Sequence, residues 1–178
     1  GRIMRWIGVG LGGRGVIKKK WKDLILQLEL KIPPPVIAAT VAAGMVAVAL
    51  WVGPVLNLPM ALRMGGALAL AAMGACFDLA GIWAFRKAKT TVNPMAPQRS
   101  AKLVANGVYR MTRNPMYLGL VLILLGLALY LASPWALLGP LAFAAYITRF
   151  QILPEERALT AHFGAAYTAY CAQVRRWL

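Results

Sequence analysis

Gly107-Val-Tyr-Arg-Met-Thr-Arg-Asn-Pro-Met-Tyr-Leu-Gly119 is the stretch on which the reading of this chain turns. Its first half is polar and basic. From Met116 the sequence turns apolar and stays so to Ala132. The loop, punctuated by Gly107 and Pro115, thus runs straight into an apolar helix. Prolines suit a helix start, because the N–H they lack would be unpaired there anyway, and Pro33-Pro34-Pro35 mark such an entry before the apolar run from Val36. Arginines and tyrosines at the mouth of a lipid-embedded helix are costly to place, and they point to a functional site. A second polar group, Pro154-Glu155-Glu156, follows 35 residues after Gly119.

Outward from this loop the chain is built of apolar blocks. It has 178 residues, 60% of them apolar and 14% charged, against about 25% charged in soluble domains. A spanning helix needs about 20 apolar residues. Four blocks qualify in composition: Val36–Leu56, Met64–Phe85, Met116–Ala132 and Trp135–Leu153. The last two are short for spanning, and little more than Ser133-Pro134 joins them, which predicts a tight helical hairpin. The fold class expected is all-α: an integral membrane helical bundle of about four transmembrane helices, with a C-terminal amphipathic helix.

The net charge of +15 would suggest nucleic acid in a soluble chain. Here the basic residues lie between apolar blocks, so anionic headgroups and membrane orientation account for them and nucleic acid is not expected. Residues 1–35 carry eight Lys and Arg, and the loop 86–115 carries seven. The segment 57–63 carries only Arg63, and the hairpin tip carries none. That alternation predicts both termini and the long loop on the cytoplasmic side of a prokaryotic inner membrane.

Residues 1–30 read as a basic N-terminal extension, either lying on the membrane or foreign to the domain. The domain proper is expected over 31–178. Gly8, Gly10, Gly12, Gly13 and Gly15 superficially resemble a nucleotide loop, but no strand precedes them and no βαβ unit follows. Cys76 and Cys171 have no ligand-like spacing, and one histidine, His162, cannot build a histidine-based site, so no metal is expected. In Pro154–Leu178, Leu159, Phe163, Tyr167, Tyr170, Val174 and Trp177 recur at spacings of three and four, the period of one helix face. Glu155 and Glu156 would fall in the first turn of that helix, where they either cap it or contact a ligand.

Taken together, Gly107-Val-Tyr-Arg, Arg113-Asn-Pro-Met-Tyr-Leu-Gly119, Pro154-Glu-Glu and Phe163-Gly-x-x-Tyr-x-x-Tyr170 resemble motifs of the integral-membrane methyltransferases. These are the isoprenylcysteine carboxyl methyltransferases and the related phospholipid N-methyltransferases. Lys89-Thr-Thr-Val-Asn-Pro94 and Val174-Arg-Arg-Trp177 are similar to bacterial or archaeal members. The resemblance implies S-adenosyl-L-methionine as methyl donor, S-adenosylhomocysteine as product, and a cofactor site built without a Rossmann domain. Carried over by position, it implies cofactor contacts at Ala101, Lys102, Leu103, Val104, Tyr109, Asn114, Pro115, Met116, Tyr117 and Glu155. The family often has His where this chain has Asn114. Eukaryotic prenylcysteine enzymes place an Arg four residues before the matching Glu; this chain has Gln151 there and Arg149 two residues earlier. Arg149, Gln151 and Glu156 are the substrate-side catalytic candidates.

The residue types suit that chemistry. Arg110 or Arg113, with backbone N–H groups at the helix start, can hold a carboxylate tail. Glu155 or Glu156 can accept from ribose hydroxyls or an amino group. Tyr109 and Tyr117 offer ring faces to a cation or to adenine, though Tyr117 equally fits an interfacial anchor. The lipophilic small-molecule substrate would enter from the bilayer. Gly119 and Gly126 share a face, as a packing seam or a tunnel mouth. Asp78, the one acid inside a span, would pair with a basic residue or touch substrate. O-methylation of an isoprenoid or prenylthio carboxylate is the leading expectation. N-methylation of an amine headgroup and a non-catalytic membrane binder are the alternatives. The oligomeric state is not encoded in any motif.

Overall fold

A computed structural model describes residues 29–53, 56–90 and 102–178. The glycine-rich N-terminal segment and Ala101 lie outside the described residues. Among these residues every regular element is helical. Helix α1 spans Pro34–Val52 and α2 spans Met60–Lys87. A 3₁₀ turn at Gly107–Arg110 precedes α3, Pro115–Leu131. A second 3₁₀ turn, Pro134–Leu137, opens α4, Leu138–Ile147. A π-helical turn at Thr148–Ile152 leads into α5, Leu153–Phe163, and α6 follows at Ala165–Gln173.

Among the described residues three helical stretches are long and apolar enough to cross a membrane: 34–52, 60–87 and 134–163. The third predicted span, α3, is a shorter apolar helix of 17 residues. Prolines occupy the first positions of α1 and α3, as the missing donor allows. Arg86 and Lys87 fill the last turn of α2, where the helix dipole favours cations. Helices α1, α3 and α4 pack around one core that includes Met45, Tyr117, Leu124, Ala128, Phe143, Ile147 and Ile152. Leu50, Trp51, Leu68, Leu79 and Leu141 are exposed on the outside. Such a surface is a liability in water but an ordinary solvent face in lipid.

Helix α2 lies along α3, and glycines set how closely. A Cβ on Gly119 would stand 2.6 Å from the Gly74 carbonyl oxygen, and one on Gly126 would stand 2.9 Å from that of Ala67. The two glycines of α3 therefore form the packing seam, with the α2 backbone against them. The hairpin after α3 turns at Ala132, which takes a left-handed conformation (φ 49°). Its carbonyl accepts the Leu56 N–H at 2.9 Å, tying the α1–α2 connection to the hairpin.

Two expectations are corrected at the C-terminal end. Pro154 does not begin a separate helix; the helical path runs on from Pro134 to Phe163. An α-helical residue 154 would donate to the carbonyl of residue 150, and proline cannot. The π turn lies just before it, and the Phe150 carbonyl accepts the Leu30 N–H instead, at 3.1 Å. Because residue 152 is already helical, there is no free helix start for Glu155 and Glu156 to cap, and neither makes a capping bond.

The segment 154–178 is also not one amphipathic helix. Gly164, at φ 53° and ψ −125°, breaks it into α5 and α6, and the chain is extended again at Val174. Leu159, Phe163, Tyr167, Tyr170 and Val174 pack together with Leu103 and Ala105, whereas Trp177 packs on the main core. Among the described residues no atom would meet a Cβ at residue 164, so the cost of a side chain there is conformational. Gly164→Ala should therefore lower stability by about 1–3 kcal/mol, read as a fall in thermal midpoint in detergent.

Candidate functional site

The loop before α3 is held by the chain's last residues. The Arg113 N–H donates to the Arg175 carbonyl at 3.0 Å. Asn114 Nδ2 donates to the Arg176 carbonyl at 2.9 Å, and the Thr112 hydroxyl donates to the same oxygen at 3.3 Å. Thr112 also accepts the Asn114 N–H at 3.1 Å. An irregular loop must place its backbone and side-chain polar groups somewhere, and here the tail 174–178 supplies the partners. Asn114 thus acts through its side chain.

Charge locks the same corner. Glu156 accepts two bonds from Arg176, from Nε to Oε1 at 2.9 Å and from Nη2 to Oε2 at 2.8 Å. This is the bidentate geometry that suits guanidinium and carboxylate. Arg113 Nη1 lies 3.1 Å from Glu156 Oε1 and donates to Cys171 Sγ at 2.7 Å. The side chains of Arg113 and Glu156 are 14% and 17% exposed, so the pair is largely shielded from water. Arg113 Nε is buried with no hydrogen-bond partner among the described residues. A buried guanidinium donor left unpaired costs free energy, and it suits an incoming anion.

Glu155 faces a different way. It accepts the Tyr117 hydroxyl on Oε1 at 2.5 Å, joining α5 to the third helical residue of α3. The bond uses one of the two carboxylate oxygens. Tyr117 is itself buried in the core, which decides against a role as an interfacial anchor in the aromatic belt. Tyr109 is buried too, edge-on to Phe85 with ring centroids 5.4 Å apart, and its carbonyl accepts the Tyr170 hydroxyl at 2.7 Å. Burial, reinforced by neighbouring Tyr170 and Glu155, pushes the Tyr109 phenol well above its ordinary range, so it stays a neutral donor. The start of α3 carries no side-chain cap. Backbone N–H groups there remain suited to an anion.

The structure thus brings Tyr109, Arg113, Asn114, Pro115, Met116, Tyr117, Glu155 and Glu156 to one end of the bundle. Leu103 packs on the Tyr167–Tyr170 cluster, Val104 is half-buried, and Lys102 is exposed. Arg149 and Gln151 turn elsewhere. Arg149 Nη1 pairs with Glu29 Oε1 at 2.8 Å, and Arg157 pairs with the other oxygen of Glu29. Gln151 is buried and donates to the Ile32 carbonyl at 2.7 Å. Both side chains engage residues 29–32, while Glu156 engages the loop and the tail.

Arg176 in Val174-Arg-Arg-Trp177, Thr112 in the opening loop and Cys171 were in view in the sequence without a site role, and Glu29 was not singled out. A usable signal for Arg176 was present: with five acids for 20 basic residues, an acidic pair near the C-terminus has arginines to choose from. For Glu29 none was, because its partners lie 120 and 128 residues away.

Comparison with known proteins follows the same geometry. An uncharacterized protein of Haemophilus influenzae is 48% identical over 63 residues, which is 35% of this chain and the whole of that protein. No solved structure matches the chain. The profile described as "Phospholipid methyltransferase" matches residues 61–166, a stretch holding α2, the basic loop, the hairpin and both glutamates. With that match over more than half its length, and with helices able to cross a membrane on either side of the loop, the chain belongs to the phospholipid methyltransferase family of membrane methyltransferases.

Proposed function

We propose that this protein transfers a methyl group from S-adenosyl-L-methionine to a lipophilic small molecule at the cytoplasmic face of a prokaryotic inner membrane. The observation that carries this reading is the convergence of the loop 109–117 with Glu155, Glu156 and the tail at one end of an apolar bundle. The donor set fits the cofactor. The unpaired Arg113 Nε–H and the uncapped start of α3 suit its carboxylate, the Glu155 carboxylate suits hydroxyl or ammonium hydrogens, and the tyrosine rings suit adenine or a sulfonium. When bound, the cofactor supplies an electrophilic methyl on a cationic sulfur. The protein's part is to align donor and acceptor and to exclude water, which accelerates an in-line displacement without a metal.

The distribution of basic residues supports the orientation, with the loop and both termini cytoplasmic. The acceptor's apolar part lies in the bilayer, among membrane lipids. An O-methylated isoprenoid or prenylthio carboxylate was expected from the resemblance. The side chains that would meet such a carboxylate, Arg149 and Gln151, are engaged with residues 29–32, which favours the amine alternative. Calorimetry of S-adenosylhomocysteine on the purified protein in detergent is the direct test. Saturable binding is expected; a folded sample that binds none would remove the enzyme reading in favour of a non-catalytic membrane binder.

A further inference from the structure

Asp78 is an acid that the site described above leaves unused. It sits within α2, in the apolar run Ala75-Cys-Phe-Asp-Leu-Ala80. Its Oδ1 is buried and has no hydrogen-bond partner among the described residues, and none of the ion pairs found there includes it. That oxygen faces Gly119 of α3, where a Cβ would collide with it and would stand 2.7 Å from Asp78 Cγ. The missing side chain of Gly119 is therefore what allows a carboxylate to reach across the seam between the two helices. A buried carboxylate oxygen without a partner is expensive, and intramembrane acids without a structural partner mark substrate pathways.

Its depth is informative. Gly81, three residues on and so on the same face of α2, abuts Met116 and Pro115 at the start of α3; a Cβ there would stand 2.8 Å from Met116 Cγ. Asp78 thus lies about one helical turn, roughly 5 Å, further from the loop than the end of α3 that suits the donor's carboxylate. The polar end of an acceptor whose chain lies in the bilayer has to stand at this level to meet a donor held at the loop.

We propose that Asp78 receives the acceptor and selects a lipid-soluble amine over a carboxylate, an inference that rests on the methyltransferase reading. A carboxylate in this seam attracts N–H hydrogens and repels a second carboxylate. In the reaction, the neutral amine nitrogen forms the new N–C bond with its lone pair as the donor's S–C bond breaks. The sulfur keeps the electron pair of the broken bond, becoming a neutral thioether. The methylated nitrogen passes its surplus proton to the Asp78 carboxylate, from which it leaves to water. No oxidant or metal enters the balance.

The test uses the full chain in lipid nanodiscs, with hexadecylamine and hexadecanoate as probes of equal chain length and S-adenosyl-L-methionine labelled in the methyl group. The wild type should bind hexadecylamine in preference to hexadecanoate in the absence of donor, and should pass label to the amine as a base-stable product. Asp78→Asn, which keeps the shape and removes the charge, should weaken hexadecylamine binding and slow its labelling by about 30-fold, as for loss of a hydrogen bond to a charged group. Its affinity for S-adenosylhomocysteine should be unchanged, which also reports that it is folded. Preference of the wild type for hexadecanoate, label recovered as a methyl ester, or undiminished amine binding by Asp78→Asn would each overturn the proposal. Failure of the wild type to bind S-adenosylhomocysteine would instead overturn the methyltransferase reading, so the two failures are distinct. Nanodiscs containing phosphatidylethanolamine as the only amine distinguish a membrane lipid from a free amphiphile as the source of that nitrogen.

Discussion

Glu155→Ala is expected to bind S-adenosylhomocysteine about 10- to 100-fold more weakly than the wild type, the range set by loss of a hydrogen bond to a charged group. The comparison that gives this meaning is Tyr117→Phe. Tyr117 donates to Glu155 Oε1 at 2.5 Å from within the core. If Glu155 serves only as that hydroxyl's partner, the two variants should weaken binding alike, through the same lost bond. If the carboxylate also contacts the cofactor, Tyr117→Phe keeps the contact and should lose only a few-fold, because its gap is a hydroxyl and not a charge. Calorimetry on both variants decides between these, with thermal unfolding as the control for structure.

Glu156→Ala should have its largest effect on stability. The carboxylate stands between Arg113 and Arg176, taking two bonds from the latter and an ion pair from the former. Its removal leaves two guanidinium groups facing each other in a corner partly closed to water. The loss should be about 3 kcal/mol, the lower end for breaking a buried pair, since Arg176 is partly exposed. Thermal unfolding of Glu156→Ala, Arg176→Ala and the double variant forms a cycle. A coupling of about 1–3 kcal/mol is expected for residues in one network. Additive losses would show that the tail is held by Trp177 and its backbone bonds instead.

Much of this architecture was legible before any coordinates, and particular residues show why. Pro33-Pro34-Pro35 marked the start of α1 because a first helical turn is where proline's missing donor costs nothing. Ser133-Pro134 marked the hairpin because so short a polar interruption between apolar blocks leaves room for nothing longer. The glutamates were singled out because paired carboxylates at the mouth of a lipid-embedded helix are costly to place. Their division of labour was not legible. Adjacent in sequence, Glu155 turns to Tyr117 and Glu156 to two arginines, because successive side chains on a helix point about 100° apart and meet whatever the fold has packed on each side. The amphipathic spacing from Leu159 to Trp177 suggested one helix because a periodic pattern carries no record of a glycine taking a positive φ within it. Gly164 and the tail put Trp177 on a separate core.

What the sequence by itself determined is whatever depends on near neighbours and on solvent: apolar blocks of spanning length, prolines at helix starts, basic residues gathered between spans, and the polar motifs that place the chain in its family. What only the tertiary structure decided is which distant groups share a corner. Arg176 meets Glu156 and Asn114, Leu30 takes the carbonyl that Pro154 cannot serve, and Asp78 meets the bare backbone of Gly119. The physical reason is that helix formation and membrane insertion are satisfied within each segment by local hydrogen bonds and local hydropathy. Polar side chains find their partners across segments, where sequence distance says nothing about distance in space.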